Sequence, residues 1–216
     1  LLETDSAGLV KAILEADFVK GYDTAALIFF FFPDTYNFHW NTSGKAFVDR
    51  MKQQYDRYWT DEKIQQTKDK QMTPLEVTTL ASIVQLESAK TDEQPRVAGL
   101  YLNRLKAGMK LDADPTVIYA MRKAEGFKRK IYRVYYKNLA IESPYNTYKY
   151  KGLPPSPICM PNKSALEAVL HPAEHSYLYF VADPQRPGYH VYAATLKEQE
   201  ENADKYRKWA DTNKVQ

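Results

Sequence analysis

Cysteine is nearly absent: the chain has one, Cys159, in 216 residues, which excludes an internal disulfide and any cysteine-based zinc site. Histidine is scarce as well. His39, His171, His175 and His190 show no metal-motif spacing, and Pro172 interrupts the helix that would align the pair at 171 and 175, so no metal is expected. The longest apolar run, Ala25 to Phe32, holds eight residues against the ~20 that a membrane-spanning helix needs. Glycine (8) and proline (12) are few and no stretch is low in complexity, which excludes disordered and fibrous classes. No serine occupies a Gly-x-Ser-x-Gly elbow and no glycine-rich phosphate loop exists.

What is present is the composition of a globular chain, 44% hydrophobic and 26% charged, of a length that makes one large domain or two small ones. A net charge of +3 demands neither nucleic acid nor a membrane surface. The chain opens at Leu1 without a basic n-region and reads as a mature or truncated piece. Asp5 to Val19 carries a helical stripe with Asp5 or Ser6 as cap, whereas Ala25 to Phe32, apolar on both faces and stopped by Pro33, reads as a buried strand. Ser43 to about Thr67 reads as one long polar helix, with Gln65 to Gln71 as the exposed connection after it. Thr73-Pro74-Leu75-Glu76 has the form of a capping box and starts a helix to about Ala89; a second runs from about Glu93 to Lys106 and stops at Gly108. A third helix begins at Asp114-Pro115. Ser143 to Pro161 holds five prolines and is expected to form a long stiff loop. Then follow a helix from Lys163 to Leu170, strands at Tyr177 to Ala182 and Tyr189 to Ala193 joined as a hairpin, and a closing helix from Thr195 to about Ala210. The fold class is α+β, helix-rich with a small hairpin, and no internal repeat is visible.

One residue breaks the pattern. On the capped helix the apolar stripe runs Leu80, Ile83, Val84, and the next position on that face is Glu87. A carboxyl aimed at a core resists ionisation, because burial disfavours its charged form, and a neutral carboxylic acid is what a general acid needs. The structural alternative is a carboxylate at the helix end, paired with Arg96 or Arg104. Two-carboxylate glycosidase chemistry would look to Asp112 and Asp114 for a partner. Cys159, between Pro and Met-Pro with no nearby His, reads as a packing residue.

The strings Leu80 to Ser88, Val97 to Leu105, Asp114-Pro-Thr-Val-Ile-Tyr119, Ser143-Pro-Tyr-Asn-Thr-Tyr148 and Gly152-Leu-Pro-Pro155, in this order, resemble the catalytic domain of the endolytic murein transglycosylases, the YceG-like family. Phe32 to Tyr36 upstream, and Tyr177 to Ala182 with His190 downstream, extend the likeness over residues 25 to 205. The resemblance implies cleavage of peptidoglycan between N-acetylmuramic acid and N-acetylglucosamine, within the strand, with a 1,6-anhydro-muramyl product and no cofactor. It assigns the acid and then base role to Glu87, the second glutamate of the family's Ile-Val-Glu-x-Glu-Thr pattern. In that pattern Gln85 replaces the first glutamate and Ser88 the threonine; Ser156 stands where a Pro-Pro-Gly turn is common, and Met160 where a small polar residue is.

On this reading residues 26–216 are the catalytic domain with Ser143 to Pro161 as an active-site loop, and residues 1–25 are the tail of a LysM-like module. The full protein would sit at the periplasmic face of the bacterial inner membrane through an anchor this chain lacks, with cell-wall synthases as candidate partners. Tyr145, Asn146 and Thr147 are the first candidates for sugar contact, with Tyr119, Tyr148, His190 and Asp114 behind them; Asp114 has N-capping as its alternative. The segment Arg122 to Lys137 carries seven Lys or Arg against one Glu, interleaved with Phe127, Tyr132, Tyr135 and Tyr136. Such a composition can contact RNA or single-stranded DNA through phosphates and stacking, but the reading here is a solvated face with no nucleic-acid partner; should the segment bind anything, the carboxylates of murein stem peptides are the partner consistent with the rest. The alternative function is a non-catalytic murein-binding scaffold, suggested by Gln85 and Met160.

Overall fold

The computed structural model describes residues 4–131 and 133–213; Tyr132 and the ends of both outer domain assignments lie outside the described residues. Asp5 caps helix α1 (Ser6–Glu15), its carboxylate accepting from the Gly8 amide at 2.7 Å. Apolar Val19, just beyond it, joins the same core cluster as the rest of the chain.

Two expectations fail nearby. Ala25 to Phe32 is not a strand: Asp23 caps Ala25 at 2.7 Å and a 3-10 turn runs Thr24–Phe30. Its all-round apolar pattern suits three residues per turn equally well, burying Ala26, Leu27, Phe29 and Phe30, and among the described residues no strand lies beside it to pair with. Phe29 and Phe30 pack on Tyr55 at 5.1 and 5.0 Å, and Phe32 on Tyr58 at 4.9 Å. The expected long polar helix is also two, α2 (Gly44–Tyr58) and α3 (Asp61–Asp69), so the connection placed at Gln65 to Gln71 is mostly helical. Adjacent Tyr58 and Trp59 are both buried; leaving the helix at Trp59 lets both reach the core, and Thr60 restarts it as N-cap.

Helix α4 (Pro74–Glu87) is the centre of the molecule. Its capping box closes as the sequence indicates: Thr73 Oγ1 accepts from the Glu76 amide and Glu76 accepts from the Thr73 amide at 2.7 Å. Val77 through Val84 are all buried, because α3, α5 (Gln94–Lys106), α6 (Asp114–Ala124) and α7 (Lys163–Leu170) pack around it. Close approach on α5 depends on Gly99: a Cβ there would stand 2.8 Å from His175 Nε2 and closer still to the Ala173 carbonyl.

Strands β1 (Tyr179–Ala182) and β2 (His190–Ala193) form one antiparallel pair, Tyr179 opposite Ala193 and Ala182 opposite His190. Helix α8 (Leu196–Thr212), opened by the Thr195–Glu198 capping box, packs on this hairpin. Residues 143–161 form the expected loop. Ser82 of α4 pins it, its Oγ accepting from the Ile158 amide at 3.0 Å and its carbonyl from the Cys159 thiol at 3.5 Å.

Candidate active site

Glu87 is the last residue of α4, after which Ser88 turns the chain to extended backbone. The half-buried Glu87 accepts a hydrogen bond on Oε1 from the Tyr101 hydroxyl at 2.9 Å. Burial raises its carboxyl from 4.5 to about 7; the Tyr101 hydrogen bond opposes that, the negative charge of Asp114 adds to it and Arg104 offsets part. Tyr101, fully enclosed beside this carboxyl, is itself pushed well above its ordinary value by burial and by Glu87.

The ion pair that would make Glu87 merely structural does not form. Arg96 lies over the Tyr192 ring at 5.4 Å. Arg104 spends its fork on other partners: Nε donates to Leu178 O at 2.6 Å, and Nη1 donates to Leu111 O at 2.8 Å and to the Asp112 carboxylate at 3.2 Å. Asp112 adopts a left-handed φ of 50°, a conformation an aspartate tolerates better than most side chains.

Asp114 does not cap α6; Ala113 holds that position and Asp114 is the first helical residue, exposed, with its Oδ1 accepting from Tyr148 at 2.7 Å. Burial raises the Tyr148 phenol, and the carboxylates of Asp114, Asp112 and Glu87 raise it further. Glu87, Tyr101, Asp114, Tyr148 and Arg104 therefore share one electrostatic neighbourhood. It pairs an acid raised to about 7 with an exposed second carboxyl group, an arrangement able to give a proton and to face a developing positive charge.

The three first candidates for sugar contact are buried in the loop. Tyr145 and Thr147 are 2% exposed and Asn146 is fully buried, with their polar atoms used internally. Tyr145 Oη and Ser156 Oγ are 2.6 Å apart; Asn146 Nδ2 donates to Leu139 O and Ile141 O, both at 2.9 Å; Thr147 Oγ1 accepts from the Ala113 amide at 3.0 Å. They hold the loop against Ala113 and Asp114, and only Tyr148, the next residue, reaches the acidic cluster. Tyr119 packs on Tyr145 at 4.7 Å and on Phe127 at 5.6 Å.

His190 belongs to a clamp beside the acid. Its Nδ1 stands 3.0 Å from Glu93 Oε2, which also accepts from Ser88 Oγ at 2.8 Å, while Glu93 Oε1 accepts from the His190 amide at 2.7 Å. Burial pushes the Glu93 carboxyl up, but hydrogen bonds from His190 and Ser88 outweigh it and hold the group below its ordinary range. Ser88 thus keeps the hydroxyl that its threonine counterpart would supply. Gln85 turns to the other side, its Oε1 accepting from the Asn162 amide at 2.5 Å. Burial lifts the Cys159 thiol to about 11, in keeping with a packing role.

Sequence reasoning missed Tyr101 and Glu93. Tyr101 follows Val97 and Leu100 on an apolar stripe whose next member is Arg104, so the irregularity that marks Glu87 marks Arg104 as well. No comparable pattern singles out Glu93.

A YceG-like family model matches residues 5–205. The chain is 38% identical over 178 residues to the endolytic murein transglycosylase of Bacillus subtilis (strain 168), covering 82% of this chain and 47% of that protein. It is 33% identical over 158 residues to the endolytic murein transglycosylase of Streptococcus pneumoniae serotype 2 (strain D39 / NCTC 7466), covering 71% and 28%. The chain therefore spans about half the length, or less, of these relatives. Among solved structures a YceG-like protein from Listeria monocytogenes superposes with a TM-score of 0.74 at 27% identity, covering 92% of this chain and 67% of that one.

Proposed function

Because the chain belongs to the YceG-like family, we propose that it is the catalytic part of an endolytic murein transglycosylase, with Glu87 as its single acid and base. The observation that carries this reading is a carboxyl raised to about 7 by burial, standing at a helix end beside an exposed second carboxylate. Protonated Glu87 gives its proton to the glycosidic oxygen as the bond to muramic C1 breaks, and N-acetylglucosamine leaves with its 4-hydroxyl. Positive charge then develops at C1 and the ring oxygen. Asp114, oriented by Tyr148, faces that charge. The Glu87 carboxylate next takes the proton of the muramic C6 hydroxyl, whose oxygen attacks C1 and closes the 1,6-anhydro ring. The sugar supplies its own nucleophile, so no second carboxylate has to activate water.

Tyr101 keeps the acid oriented, the Glu93 clamp fixes the chain that follows it, and Tyr145, Asn146 and Thr147 act as positioning residues for Tyr148 and Asp114. Glycan strands are the substrate in this reading, and the full-length protein acts at the periplasmic face of the cytoplasmic membrane beside cell-wall synthases. The scaffold alternative gains nothing from Gln85, which faces Asn162 rather than the acid.

Glu87→Gln tests the proposal. Mass spectrometry of digested sacculi should show anhydro-terminated fragments with the parent protein and none with the variant, whose folding is intact. Equal release by both would refute it, and reducing-end muramic acid would mean attack by water.

A further inference from the structure

Of the 30 basic and 27 acidic residues, seven and one fall between Arg122 and Lys137, so the rest of the chain is net negative and the positive charge is local. The segment leaves α6 through two consecutive left-handed residues, Gly126 (φ 64°) and Phe127 (φ 58°), and turns outward. Lys128, Lys130, Arg133 and Lys137 are exposed and, among the described residues, have no acidic partner; the single acid, Glu125, is bound by Arg129 at 2.6 Å. A concavity of about 410 Å³ lies among Arg129, Lys130, Arg133 and Lys137. Tyr136, at its side, is 94% exposed.

The shape of this surface narrows its partner. Arg122 lies over one face of the Phe127 ring at 5.6 Å and Arg133 over one face of the Tyr135 ring at 5.4 Å, and among the described residues Tyr136 is the most exposed aromatic of the segment. Exposed rings amid these cations suit a glycan, whose sugars stack on aromatic faces and whose negative charges hang from it as side branches. The surface is also continuous with the candidate site: α6 carries Asp114 at its start and this segment at its end, eleven residues or about 16 Å away, and Lys123 lies 4.5 Å over the Tyr145 ring. A cut made inside a strand leaves polymer on both sides of the acid, so such a strand has length to spare for a second contact.

Building on the function proposed above, we propose that residues 122–131 and 133–137 form an exosite that holds the flanking part of the murein strand through the carboxylates of its stem peptides. The exosite favours long, peptide-bearing strands over short ones. It speeds capture by attraction, an effect that salt screens.

The experiment compares the parent protein with the triple variant Lys128→Glu, Lys130→Glu, Arg133→Glu, none of which touches the acidic cluster. On peptide-bearing strands at low salt kcat/KM should fall roughly tenfold or more, mostly through KM. On a tetrasaccharide fragment, and on strands stripped of peptides by an amidase, the two proteins should be equal. Retention on immobilised strands, which needs no turnover, should fall in parallel. Unchanged rates and retention on long strands, or an equal loss on the tetrasaccharide, would overturn the exosite. So would retention on RNA or on phosphatidylglycerol vesicles exceeding that on strands at the same salt. If the parent cuts nothing, the lyase reading fails, and the retention series still decides on the exosite.

Discussion

Replacing Glu87 with glutamine keeps the volume and removes an ionisation that the fold opposes. Because the folded carboxyl titrates near 7 against 4.5 when exposed, the folded state binds more protons between these values, so stability falls as pH rises through that window and levels off above it. Relative to the parent, Glu87→Gln should therefore gain on the order of 2–3 kcal/mol between pH 4.5 and 8, read from urea midpoints at the two pH values. Tyr101→Phe moves the same group in the opposite sense to a stabilised carboxylate. Losing a donor that favours the charged form raises the acid by about one further unit, and the alkaline limb of the rate profile should shift up with it. Periodicity found Glu87 and would have found Arg104; it could not find Tyr101 or Glu93, because the contacts that matter join residues 14 apart or 97 apart and leave no mark on a single stripe.

At the level of elements, local chemistry was the better guide. The capping boxes at Thr73 and Thr195, the start of α7 and the hairpin are short-range patterns, and they form where those patterns stand. Ala25 to Phe32 forms a 3-10 turn rather than the expected strand because an apolar run records burial and not the period of the backbone that buries it. The loop from Ser143 to Pro161 was legible as a loop, but proline content says nothing about which side chains turn inward, so Tyr145 and Asn146 could not be told from Tyr148. Thr147→Val preserves shape and leaves the Ala113 amide without its acceptor; a destabilisation of about 1–3 kcal/mol is expected in chemical denaturation, with a raised KM if the loop presents Tyr148 and Asp114 to substrate. Gly99→Ala adds a methyl where the backbone after Pro172 already stands. It should cost about 1–3 kcal/mol and lower the melting temperature, with little effect on the pH profile.

On the scale of the whole molecule, α4 links the parts: its start is fixed by its own capping box, its middle is buried on every side and its end presents the acid. Arg104 reaches from the neighbouring helix to Leu178 before the hairpin, 74 residues away, and to Leu111 and Asp112 before α6, so the hairpin and the start of α6 meet at one side chain beside the candidate site. Arg104→Lys, which cannot span these acceptors with one fork, should loosen both stretches together, seen as faster amide exchange at residues 110–112 and 178–182 than in the parent.

Glu87 closes its helix rather than standing within it. The unpaired carbonyls of a last turn carry a partial negative charge, equivalent to about half an electron, and they repel a carboxylate placed among them. The main chain thus leans toward the proton-bound form before any side chain contributes, and exchanging the neighbours of Glu87 one at a time will not strip that bias away.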